Sequence, residues 1–166
     1  MTTLFVMCGV PGSTKSTWAH EFMKSRMNIA YVSRDEIRLA TITDNEQYFS
    51  HEDEVYEKFI NEIVMMISSA VDTIADATHL SIGARKKLIN ALTAKGLTPD
   101  KYQIIFVYMD VPVEDCIQRD QLRTGRAHVT ESVIRRMYSQ LTVPTINEFL
   151  NVKEVWKINV RNIPYQ

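Results

Sequence analysis

Gly9-Val10-Pro11-Gly12-Ser13-Thr14-Lys15-Ser16 departs at one position from the phosphate-cradling pattern G-x-x-x-x-G-K-[ST], and it stands where an apolar run gives way to a helical one. The preceding Leu4-Phe5-Val6-Met7-Cys8 is continuously apolar, as an internal parallel strand should be, and Ala19, Phe22 and Met23 then recur at helical spacing. Strand, loop and helix in that order aim backbone N–H groups and the positive end of a helix dipole at a phosphate. Gly9, Pro11, Gly12, Ser13, Thr14, Lys15, Ser16 and Thr17 are therefore the expected nucleotide-binding residues. Lys15 is placed to reach the terminal phosphates, and the Ser16 hydroxyl to ligate Mg²⁺. The stretch predicts a nucleoside triphosphate site.

Thr14 occupies the position where the pattern has its second glycine. Glycine there permits dihedrals that other residues avoid and keeps a Cβ out of the phosphate's approach. A positive φ at a threonine costs about 1–2 kcal/mol. The expectation is a strained and crowded loop, with weakened nucleotide binding as one outcome.

Outside this stretch, composition describes the setting. The chain has 166 residues, 45% of them hydrophobic, which suits one domain with a substantial core over residues 1–166. It contains no run of about 18 apolar residues, and its apolar start lacks a basic leader, so neither a membrane span nor a signal peptide is expected. Cys8 and Cys116 read as packing residues in a reducing compartment, hence a cytoplasmic protein. A net charge of −1 argues against a general coat for nucleic acid, without excluding recognition of one strand end by a local basic cluster.

Short apolar runs then alternate with helical segments. Ile29–Val32 reads as a strand followed by a helix opening at Ser33, and Glu52–Val71 as a long amphipathic helix. Val71–Asp76 is a candidate strand, Gly83–Lys95 a helix closed by Gly96, and Tyr102–Met109 the clearest strand of all. Two helical segments flank Thr124–His128, and Val155–Val160 supplies the last strand. A βα succession of this kind predicts an α/β fold, a parallel sheet with helices on both faces. Ligands then gather at the carboxyl ends of the strands.

The residues after each strand carry candidate chemistry. Ser33 and Glu36 form a capping-box pattern, while Asp35 and Arg38, three apart, share one helix face. A carboxylate there can accept the proton of an attacking hydroxyl, and the guanidinium can hold a substrate phosphate by a bidentate fork. Asp76 and Thr78 follow the third strand as candidate substrate contacts beside His79, which has no partner at metal-ligand spacing. Asp110 reads as a helix N-cap. Arg119, Arg123 and Arg126 surround Gly125 between two helices, an arrangement expected of a lid that neutralises a transferring phosphoryl group.

Together these blocks resemble the kinase domain of the phage-type polynucleotide 5′-hydroxyl kinases. The matching stretches are Gly9–Gly12 with Lys15–Trp18, Ser33–Arg38, Asp76–Leu80, and Arg119 through Gly125 to Arg135-Arg136-Met137-Tyr138, nearly the whole chain. The resemblance implies a P-loop kinase with a five-stranded parallel sheet and an arginine-bearing lid. It further implies ATP and Mg²⁺, the 5′-hydroxyl end of single-stranded DNA or RNA as acceptor, and a place in nucleic-acid repair. Asp35 would be the general base, Arg38 the grip on the phosphate beside the acceptor nucleotide, and Arg123 or Arg126 the lid contact to the donor. Two positions depart from the family: Thr14, and His79 where asparagine is usual. The phosphatase signature D-x-D-x-[TV] that some members carry is absent. Two alternatives stand beside this reading: a P-loop kinase of a small alcohol such as a nucleoside, sugar or antibiotic, and a nucleotide-binding protein weakened by Thr14.

Overall fold

In the computed structural model, which describes residues 1–125 and 128–159, the chain runs β1 (Thr3–Cys8), α1 (Lys15–Lys24), β2 (Ile29–Ser33), α2 (Arg34–Thr41), α3 (Glu52–Ser68) and β3 (Asp72–Asp76). It continues through α4 (Ile82–Ala94), a 3₁₀ turn (Pro99–Lys101), β4 (Gln103–Met109), α5 (Val113–Gln121), α6 (Glu131–Gln140) and β5 (Val152–Ile158). The five strands form one parallel sheet in the order β2-β3-β1-β4-β5. This is the architecture expected from the alternation of apolar runs and helices.

Side chains alternate across a strand, so β1 feeds two cores. Leu4, Val6 and Cys8 pack with Phe59, Ile60 and Ile63 of α3 and Leu88 and Leu92 of α4. Phe5 and Met7 face the other way, toward Ala19 of α1, Cys116 and Ile117 of α5, and Ile134 of α6. Burial on both faces is what makes the sequence of β1 and β4 continuously apolar rather than alternating. Both cysteines are free and buried, and burial pushes the Cys8 thiol up to about 12 and the Cys116 thiol up to about 11, as suits packing residues.

Helix ends follow local rules. Leu97 N–H donates to the Leu92 carbonyl (3.0 Å) and Gly96 N–H to the Thr93 carbonyl (2.9 Å), with Gly96 at φ +90, so α4 ends in a Schellman motif at the expected glycine. The long helix α3 stops at Ser68, before the expected Val71, because Ala70 turns left-handed at φ 61. Asp110 does not cap α5. Pro112 is the cap residue, and the intervening Val111-Pro112 carries Asp110 away to face Lys157 Nζ at 3.6 Å. The last strand begins at Val152 rather than Val155, and the expected end at Val160 lies outside the described residues.

β1, β2 and β3 are neighbours whose carboxyl ends open on the same edge of the sheet. Register aligns Ser33 with Asp76 there. The glycine-rich loop, the start of α2 and the end of β3 are thereby brought together.

Candidate active site

The loop between β1 and α1 is fixed from several sides. Gly9 N–H donates to the Thr78 carbonyl (2.9 Å), and Ser13 N–H to the Val10 carbonyl (3.2 Å). Gly12 has φ +82, and a Cβ on it would lie 2.2 Å from the Cys116 carbonyl oxygen, so α5 presses against the loop where only glycine fits. Thr14, the N-cap of α1, adopts φ 66 and ψ 26, the left-handed conformation that the missing glycine predicts to be strained. Its hydroxyl donates to the Ser13 carbonyl (2.6 Å) and gives α1 no side-chain cap. The first N–H groups of α1 thus keep the donor capacity that an anion uses. Lys15 Nζ donates to the Val10 carbonyl (3.1 Å), and desolvation pushes its ammonium below the usual lysine range. Ser13 Oγ is buried with no hydrogen-bond partner among the described residues. These donors fit a polyphosphate.

Beside the loop, Ser16 Oγ donates to Asp76 Oδ2 (2.9 Å). Spending its proton on the carboxylate leaves the serine oxygen's lone pairs for a cation. Two hard oxygen ligands at one point, next to phosphate oxygens, are what Mg²⁺ accepts. Tyr31 O–H also donates to Asp76 Oδ2 and lies 3.3 Å from Ser16 Oγ. Burial, followed by the Asp76 charge, raises the Tyr31 phenol well above the ordinary tyrosine range, so it stays a donor.

Across the cleft, α2 presents Asp35 and Arg38 on one face, as the spacing predicts. Ser33 Oγ accepts from Glu36 N–H (3.2 Å), capping the helix as the capping-box pattern requires. Asp35 is exposed, and among the described residues both of its hydrogen bonds, from Arg38 Nη1 and from Tyr48 O–H (3.0 Å), go to Oδ1. Oδ2 is left to take a proton. Arg38 is 5% exposed and its fork is already engaged: Nε donates to Glu52 Oε2 and Nη2 to Glu52 Oε1, each at 2.7 Å. Its guanidinium also lies 4.9 Å from the Tyr48 ring and 5.0 Å from the Phe49 ring. Arg34 Nη2 adds a third donor to Glu52, at 3.1 Å from Oε1. The bidentate grip expected on a substrate phosphate is held instead by a carboxylate of α3. A cavity of about 300 Å³ separates the two walls, lined by Pro11, Gly12, Thr14, Lys15, Ser16 and Asp76 on one side and Arg34, Asp35, Arg38 and Phe49 on the other, with Thr78 and Arg123 also present.

An AAA domain family model matches residues 4–144, most of the chain. The chain belongs to this family. It is a P-loop kinase domain, similar to those of polynucleotide kinases. A chain of the Pnkp1/Rnl/Hen1 RNA repair complex superimposes with a TM-score of 0.72 at 25% identity, over 84% of this chain and 44% of that one. This P-loop kinase domain therefore spans less than half the length of that relative. A sugar kinase from Janibacter sp. HTCC2649 shares the fold with a TM-score of 0.67 at 19% identity, over 97% of this chain and 87% of that one. A fungal RNA kinase does so with a TM-score of 0.64 at 12% identity, over 98% and 77% of the two chains. No curated protein matches the chain.

In this P-loop kinase domain two of the arginines expected to form a lid, Arg119 and Arg123, take different places. Arg123 lines the cavity, whereas Arg119 is buried under the phosphate loop, its Nη1 3.5 Å from the Gly12 carbonyl. Arg126 lies outside the described residues. Thr17 and Gly9 do not line the cavity; Thr78 acts on the loop through its backbone carbonyl. His79 does not line the cavity: its Nδ1 donates to the Met7 carbonyl (2.8 Å), and burial pushes its imidazole down to about 4. Sequence reasoning missed Glu52, Tyr48, Tyr31 and Asp120. Asp120 is buried and accepts Val129 N–H on both oxygens (2.9 and 3.0 Å), tying the segment before α6 back to α5. Among the described residues no helix is long and apolar enough to cross a membrane.

Proposed function

We propose that residues 1–166 are one phosphotransferase domain that moves the γ-phosphoryl group of ATP to the 5′-hydroxyl of a DNA or RNA strand. The observation that carries this reading is the opposition, in one cavity, of Lys15 and Ser16 to an exposed Asp35 whose Oδ2 has no hydrogen-bond partner among the described residues. Asp35 accepts the proton of the attacking hydroxyl. Lys15 and Arg123 balance the charge that spreads over the transferring group. Ser16 and Asp76 would hold Mg²⁺, which when bound supplies charge neutralisation at the donor phosphates. Arg38 keeps Asp35 in place and meets the acceptor's first phosphate by sharing N–H donors with the carboxylates it already holds. Support comes from the likeness to a chain of an RNA repair complex and to an RNA kinase.

A small neutral alcohol is the second reading. It is favoured by the Arg38 fork being engaged by Glu52, and by the likeness to a sugar kinase. Transfer from γ-labelled ATP to 5′-hydroxyl RNA and DNA oligomers, nucleosides and sugars separates the two. Labelled oligomers are expected. Labelled sugars or nucleosides with unlabelled oligomers would replace the first reading by the second. In addition, Arg38→Ala should raise the apparent KM for the oligomer, leave that for ATP unchanged, and lower the slope of affinity against log salt by about one counterion. An unchanged slope would remove Arg38 from the acceptor's phosphate.

A further inference from the structure

The Ser16–Asp76 pair has a third member that no sequence motif marks. Tyr31 lies on β2 at the register position of Ile74, two residues before the Ser33–Asp76 pair. Its ring packs on His20 of α1 with centroids 4.8 Å apart, which carries the phenol up to the carboxyl end of the sheet. There the hydroxyl donates to Asp76 Oδ2, the same oxygen that takes the Ser16 proton, and sits 3.3 Å from Ser16 Oγ. Three oxygens from α1, β2 and β3 thus meet at one point beside the phosphate loop.

Asp76 is buried, and its Oδ2 accepts from two hydroxyls at once. A carboxylate with a single anchor swings about its χ angles. One with two donors converging on the same oxygen is fixed in the orientation that accepts from Ser16. That orientation matters because the serine oxygen can offer lone pairs to a cation only while its proton is directed elsewhere. Groups outside the first coordination sphere that orient a ligand in this way typically carry about 10–100-fold in metal affinity.

We propose that Tyr31 is a positioning residue of the divalent-cation site, its phenol holding Asp76 where the carboxylate takes the Ser16 proton and leaves the serine oxygen to Mg²⁺. This rests on reading Ser16 and Asp76 as the cation-holding pair. Tyr31 touches neither donor nor acceptor and acts through Asp76. Its removal should therefore be felt in how strongly Mg²⁺ tightens nucleotide binding, and not in the nucleotide's own affinity for the loop.

The test is calorimetric binding of ADP, titrated against Mg²⁺ and repeated in EDTA, for the parent, Tyr31→Phe, Asp76→Asn and the double variant. Phenylalanine keeps the ring against His20, and a melting curve reads any loss of folding. Tyr31→Phe is expected to raise the Mg²⁺ concentration that half-maximally tightens ADP binding by about 10–100-fold. Affinity in EDTA should stay at the parent value, and Tyr31→Phe should add nothing in the Asp76→Asn background. A shift with Asp76→Asn but none with Tyr31→Phe overturns the proposal and leaves the cation pair standing. So does an equal loss in EDTA, or a Tyr31→Phe effect that persists without Asp76. If Asp76→Asn itself leaves the Mg²⁺ dependence unchanged, the pair does not hold the cation, and the reading beneath the proposal falls with it.

Discussion

The two walls of the cleft hold their cations differently. On the phosphate-loop wall, Lys15 donates to a backbone carbonyl, and burial already depresses its ammonium. On the opposite wall, Arg38 already serves carboxylates: Nε and Nη2 donate to Glu52 and Nη1 to Asp35. An anion at the loop exchanges a weak neutral partner for a charged one. An anion at Arg38 must displace or share carboxylates that are already there. In the proposed reaction the loop wall, the donor wall, is therefore suited to bind charge, while the opposite, acceptor wall is suited to hold a base in position.

That contrast is broken most severely at Asp35. Asp35→Asn keeps the shape and the bonds that Oδ1 accepts, but removes the proton acceptor, so single-turnover transfer should fall by about 10²–10⁴. ATP affinity, measured by calorimetry, should stay near that of the parent, because Asp35 belongs to the other wall. Loss of ATP affinity in step with rate would erase the distinction between the walls.

His79 is the next largest effect and lies behind the donor wall. Its folded pKa is depressed to about 4 by burial, against about 6.5 for an unfolded histidine. Between those values the unfolded chain binds a proton that the native state refuses, so stability falls as pH drops from 6.5 toward 4. The span corresponds to about 3 kcal/mol. Asparagine, the residue usual at this point in the resembled family, carries no such proton and tolerates the positive φ of 41 recorded at His79. Urea denaturation of His79→Asn at a series of pH values should lose this slope. A slope equal to the parent's would assign the acid sensitivity to other groups.

Glu52→Gln sharpens the comparison from the acceptor side. Arg38 is buried and the Glu52 side chain is 29% exposed, so the loss should fall between those of surface and buried pairs, about 1–3 kcal/mol by thermal or urea unfolding. The hydrogen bond from Arg38 holds the Glu52 carboxyl below the usual range. Its stabilisation is therefore complete above the unfolded pKa of about 4.3 and lost as pH falls through the lower folded value. The gap between parent and variant should close only in acid. A gap independent of pH would mean that the glutamate's contribution is packing rather than charge.

The walls also differ in how far the sequence revealed them. The donor wall is almost contiguous: Gly9, Gly12, Lys15 and Ser16 lie within one strand-loop-helix unit, so their chemistry is written as a local pattern. Asp35 and Arg38 were legible for the same reason, one helix face and three residues of spacing. Glu52 and Tyr48 were not, because they reach Arg38 and Asp35 from 14 and 13 residues away, across the α2–α3 connection, and nothing in their own neighbourhood announces a partner. Tyr31 read as strand apolarity since its hydroxyl acquires a role only when β2 pairs with β3. Arg119 shared the charge pattern of the lid, yet α5 turns it beneath the loop. Local periodicity reports which face a residue occupies, and only the fold reports what that face meets.

The smallest effect belongs to the residue that departs from the donor pattern. Thr14 adopts the left-handed conformation a glycine would take, at φ 66, with its hydroxyl bonded to the Ser13 carbonyl. In Thr14→Gly, relief of backbone strain returns about 1–2 kcal/mol, while the greater freedom of glycine in the unfolded chain removes up to about 1 kcal/mol. The net change in stability should lie between about 0 and 2 kcal/mol, in favour of the variant. Binding should respond more clearly, because the Cβ that lines the cavity beside Lys15 is gone from the phosphate's path. Calorimetry should record tighter ATP binding and the transfer assay a faster rate. Equal affinity and equal rate would mean that the turned-back hydroxyl already clears the path. In that case the donor wall tolerates threonine without loss, and the substitution costs backbone strain alone.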